Sequence, residues 1–193
     1  MEESLGPPGL VETFTALAAS DNVSYILSND LFIQNTNSAW DQFAIENGGE
    51  QILATWGRGA SLLAAIPEPL RPFFVDGFAR ACSTGERWEH DYECSSPERY
   101  RQFRMIVFPF AEGFVVTHAL RAEHAHDRET RGPAEAYVHQ GLITMCAHCR
   151  RVRTPPRARE RWDWVPVYVA RPLSHVSHGL CPPCAEYYYP DVA

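Results

Sequence analysis

The chain is poor in anything that would hold it in a membrane or send it across one. No stretch approaches the roughly 18 uninterrupted apolar residues that a spanning helix needs. The first residues, Met1-Glu2-Glu3-Ser4, are acidic where a secretory leader would be basic. A soluble, unprocessed protein of a reducing, cytoplasmic compartment is expected. Lysine is absent altogether: all 17 basic residues are arginine, set against 24 acids. General disorder is excluded as well, because 45% of the 193 residues are apolar, enough for a buried core.

The charge is unevenly shared. Residues 1–120 carry 7 arginines and 16 acids, a net of −9, whereas residues 121–193 carry 10 arginines and 8 acids, a net of +2. Such a break predicts two pieces with different roles. Six cysteines are present. Without an export signal, three disulfides fit poorly, and four of the six fall in two C-x2-C pairs, so metal thiolates fit better.

After Gly6-Pro7-Pro8-Gly9, the residues Leu10, Phe14 and Leu17 draw one apolar stripe on a helix over 10–20. The stripe suits a helix that covers its own domain and equally one that pairs with a second copy. Residues 23–36 read as two strands around a turn at Ser28-Asn29-Asp30. A helix follows, capped by Asn37 or Ser38, with Asp41 in its first turn and Gly48-Gly49 at its end. Short helical pieces are expected over 51–66. A longer helix is expected from Pro69 to Ser83, with Leu70, Phe73, Phe74, Phe78 and Ala81 on one broad face.

Three strand-like runs come next. Trp88, His90, Tyr92 and Cys94 alternate with three acids, which predicts one buried and one wet face. Ser95-Ser96-Pro97-Glu98 turns the chain into a strand over 101–110, and Glu112-Gly113 turns it into another over 114–120. The order of helix, two strands, several helices and three strands predicts an α+β fold: a five-stranded antiparallel sheet with helices on one face.

That arrangement resembles the PAS fold, and so do particular residues. Asn37-Ser38-Ala39-Trp40-Asp41-Gln42-Phe43-Ala44-Ile45-Glu46-Asn47-Gly48 is similar to the N-x-A-W-x-x-F-A-x-x-N-G helix of one group of bacterial PAS sensors. Tyr92–Glu98, followed by Arg101, Phe103, Met105 and His118, continues the likeness. The resemblance implies a sensor domain over 10–121, with Trp56, Phe74, Phe78, Tyr92, Phe103, Met105, Val116 and His118 as the lining of any ligand pocket. A fully packed core with no ligand is the other reading of the same residues.

A polar linker with His124 and His126 is expected from Arg121 to Pro133, and a helix-permissive stretch from there to Met145, so that 122–144 joins two modules. The two histidines receive no role.

The module over 145–193 rests on its cysteines. Cys146-Ala147-His148-Cys149 and Cys181-Pro182-Pro183-Cys184 are separated by 31 residues. A two-residue spacer lets both thiolates of a pair converge on one ion, and two pairs complete a tetrahedral shell with no position left for water. The expectation is one structural zinc held by Cys146, Cys149, Cys181 and Cys184. His178 is kept as an alternative ligand or as a donor behind the ligands. So short a segment, rich in Arg and Pro, buries too little apolar surface to fold alone, and metal would supply the deficit. Cys82 and Cys94 read as ordinary core or edge thiols.

The tail is also familiar. Cys146-Ala147-His148-Cys149-Arg150-Arg151-Val152-Arg153, then Trp162, Val165 and Tyr168, then Ser177-His178-Gly179-Leu180-Cys181-Pro182-Pro183-Cys184 and Tyr189-Pro190 resemble a cysteine-rich tail of bacterial PAS and receiver signalling proteins. Pro155-Pro156 and extra arginines stand where that family usually has an acidic turn.

Together these readings imply a non-catalytic sensor or signal-transduction protein, a homodimer, whose output passes to a partner protein and which can take a small ligand. No flavin-adduct cysteine lies in 50–66, no haem-ligating histidine in 69–83, and there is no C-x-x-C-H. Two other functions compete. Arg150, Arg151, Arg153, Arg157, Arg159 and Arg161 beside two tryptophans suit nucleic acid, with regulation of transcription as the role, against a net charge of −7. Cys181-Pro182-Pro183-Cys184 would suit thiol exchange, but the tail offers no thioredoxin-like frame.

Overall fold

The computed structural model describes residues 15, 19–156, 160–170 and 175–191. The stripe of Leu10, Phe14 and Leu17 lies outside these, as do Arg157 and Arg159. The fold is α+β, with a five-stranded antiparallel sheet in the order β2-β1-β5-β4-β3. Its strands are β1 (Val23–Ser28), β2 (Ile33–Thr36), β3 (Trp88–Glu93), β4 (Arg99–Phe110) and β5 (Gly113–Ala125). Between β2 and β3 run α1 (Ser38–Glu46), α2 (Glu50–Thr55), α3 (Leu62–Ala65), a 3-10 turn at Glu68–Leu70 and α4 (Arg71–Thr84).

The chain divides into two compact units. The first extends through Ile66 and adds Phe74–His90 and Arg104–Ala119; the second comprises Pro67–Phe73, Asp91–Phe103 and everything from Leu120 onward.

In the first unit the expected hairpin forms, with Leu31 in the left-handed region at φ 61° so that the chain can reverse. Asn37 caps α1 as the sequence predicts, its Oδ1 accepting from the Trp40 amide at 3.1 Å. The same side chain is buried and accepts from the Ser24 amide on β1, also at 3.1 Å, so one residue both starts the helix and ties it to the sheet. Phe78 of α4 meets Trp88 and Phe114 edge-on, with centroids 5.5 and 5.1 Å away. Burial of Phe78 to 2% exposure contributes about 2–3 kcal/mol.

Two glycines are dictated by close approach. A Cβ on Gly77 would lie 2.3 Å from Trp88 Cζ2, and one on Gly113 would lie 1.9 Å from the Leu27 carbonyl oxygen, where β5 begins against β1.

The alternation in β3 holds for Trp88, Glu89 and His90 and then fails: the Glu93 side chain, expected on the wet face, is only 8% exposed. Its burial has a cause in the second unit, where Arg128 pairs with it. The expected linker is structured at that point. Strand β5 continues to Ala125, Glu123 accepts from Arg99 and Arg101, and the His126 amide donates to the Glu98 carbonyl at 3.1 Å. The helix-permissive stretch holds only a 3-10 turn at Ala134–Tyr137 before a strand begins at Ile143, because the glycine of the Gln140-Gly141 turn lets the His139 and Leu142 backbones pair.

The rest of the second unit is a four-stranded sheet in the order β8-β7-β6-β9. It contains β6 (Ile143–Cys146), β7 (Val152–Arg153), β8 (Trp162–Asp163) and β9 (Val176–Gly179), with α5 (Pro166–Ala170) and α6 (Pro182–Tyr188). Tyr137, Ile143, Met145, Val152 and Val165 form its apolar core.

Candidate metal centre

The two cysteine pairs come from different kinds of local structure. Cys146 ends β6, and the chain folds back at once through Arg150, which takes a left-handed φ of 59° and donates its amide to the Cys146 carbonyl at 3.1 Å. Strand β7 then pairs Val152 with Met145. This tight reversal brings Cys149 to the same side as Cys146.

The second pair is delivered by β9, which runs parallel to β6 with Gly179 opposite Cys146. Cys181 is the N-cap position of α6, and Cys184 follows within the first turn. Pro182 and Pro183 suit those positions, since a first helical turn has no use for their missing amides.

The four sulfurs converge, all lying within 4.8 Å of one another. Cys149 and Cys181 Sγ are 3.6 Å apart, and none of the four is in a disulfide. Tetrahedral metal–sulfur bonds of about 2.3 Å place ligand sulfurs about 3.8 Å apart, so the spacing fits one ion. Exposure is 0, 3, 1 and 9% for Cys146, Cys149, Cys181 and Cys184. Four sulfurs so placed could bind one metal ion.

The electrostatics agree. The Cys146 thiol is held far below the ordinary range by hydrogen bonds from the sulfurs of Cys149, Cys181 and Cys184. The Cys149 and Cys184 thiols are pushed up, first by their bond to Cys146. Sulfur-to-sulfur hydrogen bonding thus favours the deprotonated form at Cys146, the form in which a thiol ligates a cation. The Cys181 amide points at Cys146 Sγ at 3.5 Å, and Arg151 Nη1 lies 3.8 Å from Cys149 Sγ. Trp162 and Leu180 pack over the cluster.

His178 lies exposed on β9, opposite Met145 in register, and is not among the atoms that gather. His148, inside the first pair, gives its Nδ1 to a 2.5 Å hydrogen bond with the Tyr188 hydroxyl. Cys82 is exposed at the end of α4, and burial pushes the Cys94 thiol up.

Of the residues expected to line a ligand pocket, Trp56, Phe74, Phe78, Met105, Val116 and His118 belong to the first unit, and Tyr92 and Phe103 to the second. Tyr92 stacks on Phe103 at 5.8 Å. His118 Nε2 lies 3.2 Å from the Tyr25 hydroxyl, and burial lowers its imidazole to about 4.

Nothing in the sequence marks Arg128 as a structural residue. Its two terminal nitrogens take both oxygens of Glu93, its guanidinium lies 4.9 Å from the Trp164 ring, and Nη1 is 3.5 Å from the Cys149 carbonyl. Asp163 was missed too; it is buried and accepts from Tyr137 Oη at 2.9 Å and from Arg161. Glu93 lies 35 positions from Arg128 and Tyr137 lies 26 from Asp163, so no local pattern marks either pairing.

No family model matches this chain, and no curated protein does. Among solved structures, that of a phage VqmA-DPO complex is similar to it at 10% identity and a TM-score of 0.43. The similarity covers 57% of this chain and about half, 52%, of the other.

Proposed function

We propose that the chain is a non-catalytic sensory protein in which a PAS-like domain is joined to a tail shaped by one structural zinc ion. The observation that carries the zinc reading is the gathering of four buried sulfurs from two chain segments within 4.8 Å. Cys146, Cys149, Cys181 and Cys184 would hold the ion, and four thiolates leave it no open position for a reacting water. Zinc there supplies folding energy, on the order of 10 kcal/mol, to a segment whose Met145, Val152 and Val165 share one small apolar cluster with Tyr137 and Ile143.

The PAS-like reading is supported by the order of elements, with the helices carried between the second and third strands of a five-stranded antiparallel sheet. In this reading the protein works as a bacterial cytoplasmic homodimer, takes a small ligand and hands its output to a partner protein.

The nucleic-acid reading is less well supported. Of the arginines it draws on, Arg161 and Arg151 are engaged with Asp163 and the Cys149 sulfur, and Trp164, at 2% exposure, offers no face for a base to stack on.

Elemental analysis of the purified chain tests the zinc reading, with one zinc per chain expected. Cys146→Ser and Cys184→Ser should each lose the metal and open the chain after residue 145 to limited proteolysis, while Cys82→Ser does neither. Metal-free protein with an intact, protease-resistant tail would overturn it. Native mass spectrometry of the same preparation reads chain stoichiometry and any carried ligand.

A further inference from the structure

Helix α6 follows directly on Cys181 and ends in consecutive tyrosines, Tyr187 and Tyr188, with Tyr189 as its cap. Each of the three is tied to a different part of the second unit. The Tyr189 hydroxyl donates to the Pro69 carbonyl at 2.5 Å, across 120 positions of chain. The Tyr188 ring, 5% exposed, meets the Phe73 ring edge-on with centroids 4.8 Å apart, while its hydroxyl bonds to His148 inside the first cysteine pair. The Tyr187 hydroxyl reaches the Asp91 carbonyl at 3.4 Å, but the contact is long and the residue exposed, so it carries little.

Pro69 and Phe73 belong to one stretch, Pro67–Phe73, which holds the 3-10 turn at Glu68–Leu70 and the first residues of α4. Strand β9, which leads to Cys181, also runs beside that turn. The stretch has weak means of holding itself. Pro67, Pro69 and Pro72 have no amide to bond, and the first turn of a helix leaves its amides without partners inside the helix. Its placement therefore draws on Tyr188 and Tyr189.

Their hold depends in turn on the cysteines. A helix of seven residues is too short to persist alone in water, and the start of α6 is fixed through Cys181 and Cys184. Anionic sulfurs within 4.8 Å of one another repel unless a cation lies between them. Loss of the ion would thus remove the anchor of the helix that carries the tyrosines.

We propose that α6 is a metal-dependent latch. With the ion bound, Tyr188 and Tyr189 hold Pro67–Phe73 in place; without it, that stretch is released together with the tail. Helix α4 runs on from Phe73 into the first unit, so the released residues are those by which the chain enters it. The latch rests on the zinc reading and gives the ion a target outside the tail. By linkage, docking of the stretch tightens metal binding by the same factor as metal tightens docking.

Hydrogen–deuterium exchange of the full chain tests it, with zinc content measured first and the metal then stripped with EDTA. The amides of Glu68, Leu70, Arg71 and Phe73 should exchange at least about tenfold faster once zinc is removed, with those of the 23–36 hairpin unchanged. Tyr189→Phe removes only the hydroxyl. With zinc still at one per chain, it should speed exchange of the same four amides about fivefold and surrender zinc to EDTA about fivefold more readily. Unchanged exchange at these amides after stripping, in a chain whose tail amides do speed up, overturns the latch and leaves the zinc reading standing. Native exchange there in zinc-loaded Tyr189→Phe overturns it as well, and that variant is the deciding one if stripping also unfolds the hairpin. A chain that takes up no zinc yet protects these amides overturns both readings.

Discussion

Arg128 and Glu93 meet edge to edge, with Nη1–Oε1 at 2.8 Å and Nη2–Oε2 at 2.7 Å, both side chains largely removed from water at 12 and 8% exposure. The pair joins residues 35 positions apart. The Ser95 hydroxyl adds a 2.6 Å bond to Glu93 Oε1, and Arg128 lies between the rings of Tyr100 and Trp164 at 5.5 and 4.9 Å. Two forked bonds between full charges give this contact far more weight than an exposed ion pair.

Breaking the pair from one side leaves a buried charge alone. Arg128→Met and Glu93→Gln should each cost about 3 kcal/mol or more in urea unfolding. The double variant should cost clearly less than the two singles together, because it leaves no orphan charge. Strict additivity would show that the two side chains do not depend on each other.

Gly77 of α4 makes room for the Trp88 ring. Alanine in a helix is ordinarily better than glycine by about 1 kcal/mol. Here the added methyl would sit 2.3 Å from Trp88 Cζ2, and both residues are buried. Gly77→Ala should therefore destabilise, by a net of about 1–3 kcal/mol. Gly77→Ala combined with Trp88→Leu should recover part of the loss. A raised melting temperature in the single variant would refute the contact.

His118 gives the first unit a pH dependence. Burial lowers its imidazole to about 4 from an unfolded value of 6.5, so folding favours the neutral ring. Stability from this group is complete above pH 6.5 and is lost as pH falls from there toward 4, by up to about 3 kcal/mol. Urea unfolding between pH 7.5 and 4.5 should show a steeper acid loss in the native chain than in His118→Gln, which cannot titrate. Parallel pH profiles would show that His118 does not contribute to it.

Much of the fold is legible because its causes are local. The strand periods of β4 and β5, the Asn37 cap with its Gly48-Gly49 stop, and the prolines ahead of α4 each act within a few residues of where they are read. The cysteine pairs are legible for a related reason, since a two-residue spacer fixes what each pair can reach. Glu93 and His126 show where this ends. Glu93 obeys the alternation of a wet strand face and is buried all the same. His126 sits in a charged run and packs on Trp164 at 4.4 Å, with Nε2 bonded to the Ser96 carbonyl at 2.8 Å.

The sequence by itself determined the order of elements as far as β5 and the two-residue spacing within each cysteine pair, which follow from spacing along one chain. Only the tertiary structure decided that the four sulfurs share one place, that Arg128 is buried against Glu93, and that Tyr188 and Tyr189 reach Phe73 and Pro69. Those outcomes depend on which distant segments the folded path brings together, and a side chain's environment is set by neighbours in space rather than by neighbours in line.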